Sequence, residues 1–187
     1  EAIHASASTR ILFDHGRAGW LRCARNDGNA PRALITFYRS AWLAGDVAPY
    51  EALAQALARE GFAVESLYLT SLKDPAAVSA LTERLQRNPP DVILNATAFS
   101  ARLDDGSTVF EACDAPALQV GISLANAESW AASARGLSPA DLAMNVALPE
   151  VDGRIFAGAV AFKAPAERIA SLEYAPLRAR PHAETVR

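Results

Sequence analysis

Short apolar runs alternate with amphipathic helical segments along this chain, and that alternation limits the fold more than any other feature of the sequence. Strands that alternate with helices favour a parallel sheet whose strands are covered on both faces. The sequence therefore predicts an α/β fold, with a parallel, flavodoxin/Rossmann-like sheet of about four or five strands and helices on both faces. The predicted strands are Ala33–Tyr38, Phe62–Leu69, Val92–Ala96, Ala117–Ile122 and Ile155–Phe162.

Start and stop signals bound the helices between these strands. Asp46 is placed to cap a helix over about residues 47–60, and Gly61 ends that helix. Asp74 and Pro75 supply an N-cap and a proline at the first position of a second helix, which stops at Asn88 and the two prolines after it. Beyond the fourth strand, helical segments are expected over residues 126–134 and 138–145.

Length and local composition suggest one domain with a connector at each end. The chain has 187 residues, enough for one domain with a sizeable core. We expect the α/β domain over residues 32–163, an N-terminal connector over residues 1–31, and a C-terminal connector to a missing domain over residues 164–187. The chain starts without a methionine and ends in a polar run, so it is expected to be an internal fragment of a longer protein.

Charge and cysteine usage argue against several classes of function. A net charge of −3 and a pI near 5.6, without a basic cluster, indicate no nucleic-acid partner. No apolar run reaches the roughly 18 residues of a membrane helix, so no membrane span is expected. Cys23 and Cys113 match neither a disulfide framework nor a metal-binding spacing. A reducing, cytoplasmic location is therefore expected.

Several common catalytic motifs are missing from the sequence. The turn after the first strand, YRSAWLAGD, has neither the GxGxxG nor the GxxxxGK[ST] spacing, so nothing there predicts nucleotide binding. His4, His15 and His182 are isolated and do not predict a zinc site. Ser100 and Ser129 lie outside any GxSxG motif, which leaves a serine hydrolase without support.

Polar side chains follow two of the predicted strands at the edge where parallel sheets usually bind ligands. Because the carboxyl ends of parallel strands meet at one edge, these side chains are candidates for substrate binding. Ordinary roles stay open for them: a surface salt bridge for the arginine, and closure of a tight turn for the residues after the third strand. The candidates are Tyr38, Arg39 and Ser40 after the first strand, and Asn95, Thr97 and Ser100 after the third.

The string NVALPEVDGRI, residues 145–155, places two acids beside a proline. Pro149 is expected to end any helix and to hold Leu148 in an extended conformation, and the Asp-Gly pair that follows predicts a turn before the last strand. Glu150 and Asp152 are therefore expected on a tight, non-helical loop, pointing to opposite sides. Either the acids are solvated turn residues, or one faces a pocket and accepts a proton or steers a divalent cation.

Five strings of the sequence together resemble one known family. They are ITFYRSAWLAGD, PPDVILNATAFS, PALQVGISLANAESW, GLSPADLAMNVALPEVDGRIFAGAVAFK and LRARPHAETV. In order and spacing they are similar to the large subunit of the aerobic cobaltochelatase, which is related to the porphyrin-binding subunit of magnesium chelatase. ALPEVDGRI is the most specific piece. Members of this family are several times longer than the chain, in keeping with an internal fragment.

The resemblance implies one component of a multi-subunit metal chelatase, a ligase that forms nitrogen–metal bonds. Its substrates would be Co²⁺ and the corrin hydrogenobyrinic acid a,c-diamide, in the biosynthesis of cobalamin. An AAA+ ATPase subunit and its companion subunit would be the partners, and they would bind ATP and Mg²⁺ in place of this chain. The isolated fragment is expected to be inactive.

The resemblance also implies roles for residues at matching motif positions. Glu150 and Asp152 match the family's two acids and would be catalytic, and Glu150 would also be a metal ligand. Insertion of a metal into a tetrapyrrole releases two pyrrolic protons, so a carboxylate near the ring could accept a proton and hold the incoming cation. The implied substrate-binding residues are Arg39, Ser40, Asn95, Thr97, Glu128 and Trp130. Packing between helix and sheet is the ordinary alternative for Trp130.

Two alternatives to a cobaltochelatase stay open on the sequence alone. The first is the porphyrin-binding subunit of magnesium chelatase, whose members carry a glycine-rich continuation where this chain has SARLDDGST. The cobalt branch is the better match for that reason. The second is a non-catalytic α/β domain that binds a small molecule or docks partner subunits, and the missing phosphate loop argues against flavin as its ligand.

Overall fold

The structure, a computed structural model, describes residues 10–12, 19–23 and 30–186 of the chain. Its strands are β1 (Arg10–Leu12), β2 (Gly19–Cys23), β3 (Arg32–Tyr38), β4 (Ala63–Leu69), β5 (Val92–Asn95), β6 (Ala117–Ile122), β7 (Ile155–Pro165) and β8 (Leu177–Pro181). Its helices are α1 (Arg39–Leu43), α2 (Ala48–Arg59), α3 (Pro75–Arg87), α4 (Ala127–Ala131), α5 (Pro139–Leu142) and α6 (Leu148–Val151). Short 3₁₀ helices cover Val109–Ala112 and Ala170–Leu172, and a π-helical turn covers Ala143–Ala147.

The strands form a single sheet in which β3 is central. Within the described residues the order is β1-β2-β4-β3-β5-β6-β7-β8. The five strands from β4 to β7 in this order pair in parallel, and they are the five strands predicted from the sequence. If these five strands are numbered 1 to 5 along the chain, their order across the sheet is 2-1-3-4-5, as in flavodoxin-like folds. The chain changes its direction of travel across the sheet between β3 and β5, and this point is the switch in strand order. The predicted fold class is confirmed.

Antiparallel strands extend the sheet at both ends. β2 pairs with β4, β1 pairs with β2, and β8 pairs with β7 from Ala161–Pro181 to Pro165–Leu177. The sheet therefore continues into both segments that the sequence suggested as connectors. Strand β8 has a largely polar sequence, because Ala179 is its only buried residue, and the sequence therefore did not predict it as a strand.

Helices cover both faces of the sheet, as predicted. On one face, α2 packs Tyr50 and Leu53 against Ile35 and Phe37, and the Phe37 and Tyr50 rings stack at 4.3 Å between centroids. On the other face, Leu81 and Leu85 of α3 join a second buried cluster, whose strand members include Leu34 and Ile93. Neighbouring residues of β3 enter opposite clusters because side chains alternate along a strand.

One helix cap forms as predicted and one does not. Asp74 caps α3, accepting a hydrogen bond from the N–H of Ala76 at 3.0 Å. Asp46 is the predicted N-cap of α2, but the N-cap residue is Val47, whose side chain makes no capping hydrogen bond. The Asp46 carboxylate instead accepts from Lys163 Nζ at 3.1 Å and from the N–H of Ala179 at 2.8 Å. The prediction of this cap is wrong because the carboxylate takes partners on β7 and β8.

The expectation of a non-helical loop around Pro149 is also wrong. Leu148 is helical, with φ −65° and ψ −42°, and α6 contains Pro149 and Glu150. A proline inside a helix normally clashes with the carbonyl four residues earlier and leaves it without a donor. Here the preceding turn is π-helical, so its bonds span five residues and Leu148 N–H reaches the carbonyl of Ala143. The wider turn accommodates the proline.

The described helices are short. In residues 10–12, 19–23 and 30–186, none has the length and hydropathy that a membrane crossing requires.

Candidate functional site

A buried polar network lies where β5 ends, beside the switch in strand order. The Asn95 side chain is its centre: Oδ1 accepts from the hydroxyls of Thr36 at 2.7 Å and Thr97 at 2.9 Å. Its Nδ2 donates to the carbonyl of Thr97 at 2.9 Å and to Oε1 of Gln119 at 2.8 Å. All four side chains are buried. Asn95 therefore joins three adjacent strands, β3, β5 and β6.

Arg154, the residue just before β7, extends this network to the loop that follows β5. Its Nη1 donates to Gln119 Oε1 at 2.7 Å, and its Nη2 donates to the carbonyl of Phe99 and to Asp152 Oδ2, the latter at 2.8 Å. Asp152 also accepts from the Ser100 hydroxyl at 2.7 Å and from the N–H of Ala101 at 2.5 Å. The Arg154–Asp152 pair thus fixes the backbone of residues 99–101.

Burial and hydrogen bonding set the protonation of this pair. Burial by itself raises the pKa of the Asp152 carboxyl, but the Ala101 N–H, the Ser100 hydroxyl and the Arg154 guanidinium together hold that pKa below its usual value. Burial lowers the pKa of Arg154, and Asp152 opposes that shift. An arginine remains protonated in proteins, so the pair is ionic. Burial likewise raises the pKa of Tyr38.

An exposed rim lies above the network. The Tyr38 hydroxyl donates to the carbonyl of Ala98 at 3.0 Å, which ties the end of β3 to the loop after β5. Arg39 and Ser40 follow at the start of α1, and both are exposed. Glu150 is exposed on α6, two residues before the buried Asp152. The exposed groups of Arg39, Ser40 and Glu150 are the ones that a ligand could reach.

The structure brings together most of the residues that the sequence singled out, in two layers. Asn95, Thr97, Ser100 and Asp152 bond to protein groups within the buried layer. That arrangement suits positioning of the site better than contact with a substrate. Glu150 belongs to the exposed layer, so the two acids face different surroundings, although Glu150 lies on a helix and not on the extended loop from which this was expected. The rim candidates are Tyr38, Arg39, Ser40 and Glu150.

Glu128 and Trp130 lie elsewhere, on α4. The Trp130 ring packs against Phe162 at 4.9 Å and His182 at 5.3 Å between centroids. Glu128 lines an adjacent cavity of about 390 Å³ together with Lys163 and His182. Packing, the ordinary alternative for Trp130, is what these contacts show. The buried network is built from β3, β5, β6 and Arg154, which precedes β7.

The described part of the chain holds no cluster of three or more His, Cys, Asp or Glu residues that could bind a metal ion. Glu150 accordingly belongs to no such cluster in that part of the structure. A lone exposed carboxylate can contact a cation in passing, whereas stable coordination of a divalent ion takes several ligands.

Sequence reasoning missed two residues that hold the site together. Gln119 interrupts the apolar run ALQVGI, and Arg154 lies between a turn and a strand; both are buried. Gln119 carried a usable signal, since a polar side chain inside a buried strand needs hydrogen-bond partners. Nothing local distinguishes Arg154 from a surface arginine.

Comparisons of the sequence with known proteins relate this chain to one family. The family model described as CobN/Magnesium Chelatase matches residues 2–187. The chain is 45% identical over 144 residues to the aerobic cobaltochelatase subunit CobN of Sinorhizobium sp, covering 75% of this chain and 11% of that protein. It is 31% identical over 136 residues to a magnesium-chelatase subunit of Cereibacter sphaeroides, covering 66% of this chain and 11% of that protein.

A solved structure is similar as well. The catalytic subunit of cobaltochelatase from Mycobacterium tuberculosis matches with a TM-score of 0.72 and 27% sequence identity, over 89% of this chain and 15% of that one. The chain spans about a tenth of the length of the curated relatives named above.

Proposed function

This chain belongs to the CobN/magnesium chelatase family, and from that premise we propose that it is a segment of the tetrapyrrole-binding large subunit of a cobaltochelatase. The observation that carries the proposal is the higher identity to a cobaltochelatase subunit than to a magnesium-chelatase subunit. The location of the exposed rim supports it, because open α/β sheets bind ligands at a switch in strand order.

The proposed reaction is the insertion of Co²⁺ into hydrogenobyrinic acid a,c-diamide, late in cobalamin biosynthesis. Hydrolysis of ATP drives it in an AAA+ ATPase subunit, which works with a companion subunit and binds Mg²⁺ with the nucleotide. The sequence of this chain supports that division of labour, since it contains no phosphate-binding motif. The assembly works in the cytoplasm.

Glu150 is the proposed proton acceptor and cobalt contact. Two pyrrolic N–H protons must leave as the cation enters the ring, and an exposed carboxylate can take a proton or neutralise part of the cation's charge. In support, Glu150 is exposed on α6, the helix that follows the π-helical turn. Asp152 has a different part: its oxygens are engaged by Arg154, Ser100 and Ala101, so it positions the loop and does not take protons.

The remaining rim residues are proposed to bind the substrate's periphery. Arg39 can donate two parallel hydrogen bonds to a carboxylate, and Ser40 can bond to an amide. Glu128 would contact substrate at the separate cavity beside α4. Trp130, whose ring packs on Phe162 and His182 at that cavity, would contact it as well, as the motif positions imply. The buried Asn95 and Thr97 contribute by rigidifying the strand ends beneath.

A porphyrin-binding magnesium-chelatase subunit is the second candidate, favoured by the relative from Cereibacter sphaeroides. Titrating the full-length protein with hydrogenobyrinic acid a,c-diamide and, in parallel, with protoporphyrin separates the two. The cobaltochelatase proposal expects tighter binding of the corrin and cobalt insertion once ATPase partners, ATP and Co²⁺ are added. Preferential binding of protoporphyrin would favour the magnesium branch. If the protein binds neither ring, the remaining candidate function is a domain that docks partner subunits.

A further inference from the structure

Phe99 has a backbone conformation that large side chains rarely adopt. Its φ is 67°, in the left-handed region, where the Cβ of an L-residue meets the backbone. Bulky residues there are genuine outliers, and such strain persists only where the surrounding structure enforces it. Residues held in this way cluster at ligand-binding sites.

Hydrogen bonds on both sides enforce this conformation. The N–H of Phe99 donates to the carbonyl of Met144, in the π-helical turn, at 2.9 Å. Its carbonyl accepts from the buried Arg154. The next two residues, Ser100 and Ala101, bind Asp152. The Arg154–Asp152 pair and the π-helical turn therefore clamp one strained peptide unit from two directions.

The fold gains little packing from the strained residue. The Phe99 side chain is 52% exposed and belongs to neither buried cluster. Glycine or asparagine would suit this backbone better and would give up only the part of Phe99 that is covered, which belongs to neither buried cluster. The clamp thus presents an aromatic ring to the outside of the protein at the end of β5.

We infer that Phe99 is a tetrapyrrole-contacting residue, whose ring lies against one face of the macrocycle. Its position suits that contact: Ala98 beside it bonds to Tyr38, and the loop is tied to α6, which carries Glu150, through Arg102 Nη2 and the Val151 carbonyl at 2.6 Å. A flat conjugated macrocycle offers a broad face on which an aromatic side chain packs well. This inference rests on the proposed function and names one surface of its binding site.

The inference is tested by substitutions that distinguish the effect of the aromatic ring from the effect of the strained backbone. In the full-length protein, Phe99→Gly and Phe99→Asn remove the ring and suit the left-handed backbone, whereas Phe99→Trp keeps an aromatic ring. We expect the first two to weaken binding of hydrogenobyrinic acid a,c-diamide by about 10- to 100-fold, the scale of losing one buried aromatic contact. Their melting temperatures should equal or exceed that of the wild type. Phe99→Trp should bind within about threefold of wild type.

Tyr174→Ala is the matched control, because it removes an aromatic ring that is 56% exposed outside this loop, and it should bind normally. Binding unchanged in Phe99→Gly and Phe99→Asn, with wild type binding tightly, overturns the inference and leaves the proposed function intact. The same holds if these variants bind normally but lose ATP-dependent cobalt insertion, since Phe99 would then contact a partner subunit. Absence of tetrapyrrole binding by the wild type overturns the proposed function itself.

Discussion

Asp152 and Arg154 form an ion pair that is almost completely shielded from solvent. Their closest atoms, Oδ2 and Nη2, are 2.8 Å apart, and the two side chains are 0% and 1% exposed. The pair sits between the loop after β5 and the first residue of β7, so it joins the segments that carry Phe99 and Glu150. Its integrity should govern both stability and the geometry of the site.

Removal of one partner from this pair should be strongly destabilising. Asp152→Ala leaves the Arg154 guanidinium buried without its counter-charge, and the free energy of unfolding should fall by about 3–5 kcal/mol. Denaturant unfolding of the full-length protein, followed at the transition that includes this domain, measures the loss. Glu83→Ala is the control: it breaks an ion pair with Arg87 whose side chains are 70% and 67% exposed, and should change stability by less than about 1 kcal/mol. Similar losses in both variants would refute the role of burial.

The same carboxylate should make stability depend on pH in the acid range. Hydrogen bonds and Arg154 hold the folded pKa of Asp152 below its unfolded value, which is about 3.9. Its contribution is therefore fully present above the unfolded pKa and is lost as pH falls through the folded pKa. Unfolding curves at a series of pH values should show a decline that is shallower in Asp152→Asn. Equal slopes in the two proteins would contradict the assigned shift.

Much of the fold could be predicted because its signals are local. Each of the five parallel strands is a short apolar run, and signals such as the Asp74 cap mark where α3 begins. The strand order then places Arg39, Asn95 and Thr97 at one edge, as the sequence indicated. Periodicity and capping are properties of neighbouring residues, so a single sequence contains them.

Features that depend on distant partners could not be predicted. Pro149 is accommodated by a π-helical turn that no sequence pattern announced, and Asp46 finds its partners more than 100 residues away on β7 and β8. The burial of Arg154 arises from residues on β6 and the loop after β5. The two acids of the string ALPEVDGRI stay candidate site residues, and the sequence did not indicate that Asp152 is the buried one.

The side-chain amide of Asn95 should be essential for stability, because it joins the ends of adjacent strands. Asn95→Asp replaces a donor by an acceptor that faces the Thr97 carbonyl and Gln119 Oε1, and should cost about 1–3 kcal/mol of unfolding free energy. Thr36→Val removes one of two hydroxyl donors to Asn95 Oδ1, so its cost should be smaller, about 0.5–1.5 kcal/mol. Thermal and denaturant unfolding rank the two variants. A larger loss in Thr36→Val would contradict this description of the network.

The charge of Glu150 is central to the proposed mechanism, and Glu51→Gln provides a matched control for its removal. Both acids are exposed and lie in the first turn of a helix that begins with a proline in its first two positions. A general electrostatic effect of losing one surface carboxylate would therefore alter both variants alike. Glu150→Asp keeps the charge on a shorter side chain and should impair turnover less than Glu150→Gln.

The decisive measurement is the rate of cobalt insertion by the full-length Glu150→Gln variant with ATPase partners and ATP, followed by the change in corrin absorbance. Glu150→Gln keeps the shape of the side chain while removing its charge, so affinity for hydrogenobyrinic acid a,c-diamide should change only modestly. The insertion rate should fall by about 10²-fold or more, the scale of losing a general base, while Glu51→Gln keeps the wild-type rate. Near-wild-type insertion by Glu150→Gln would contradict the account.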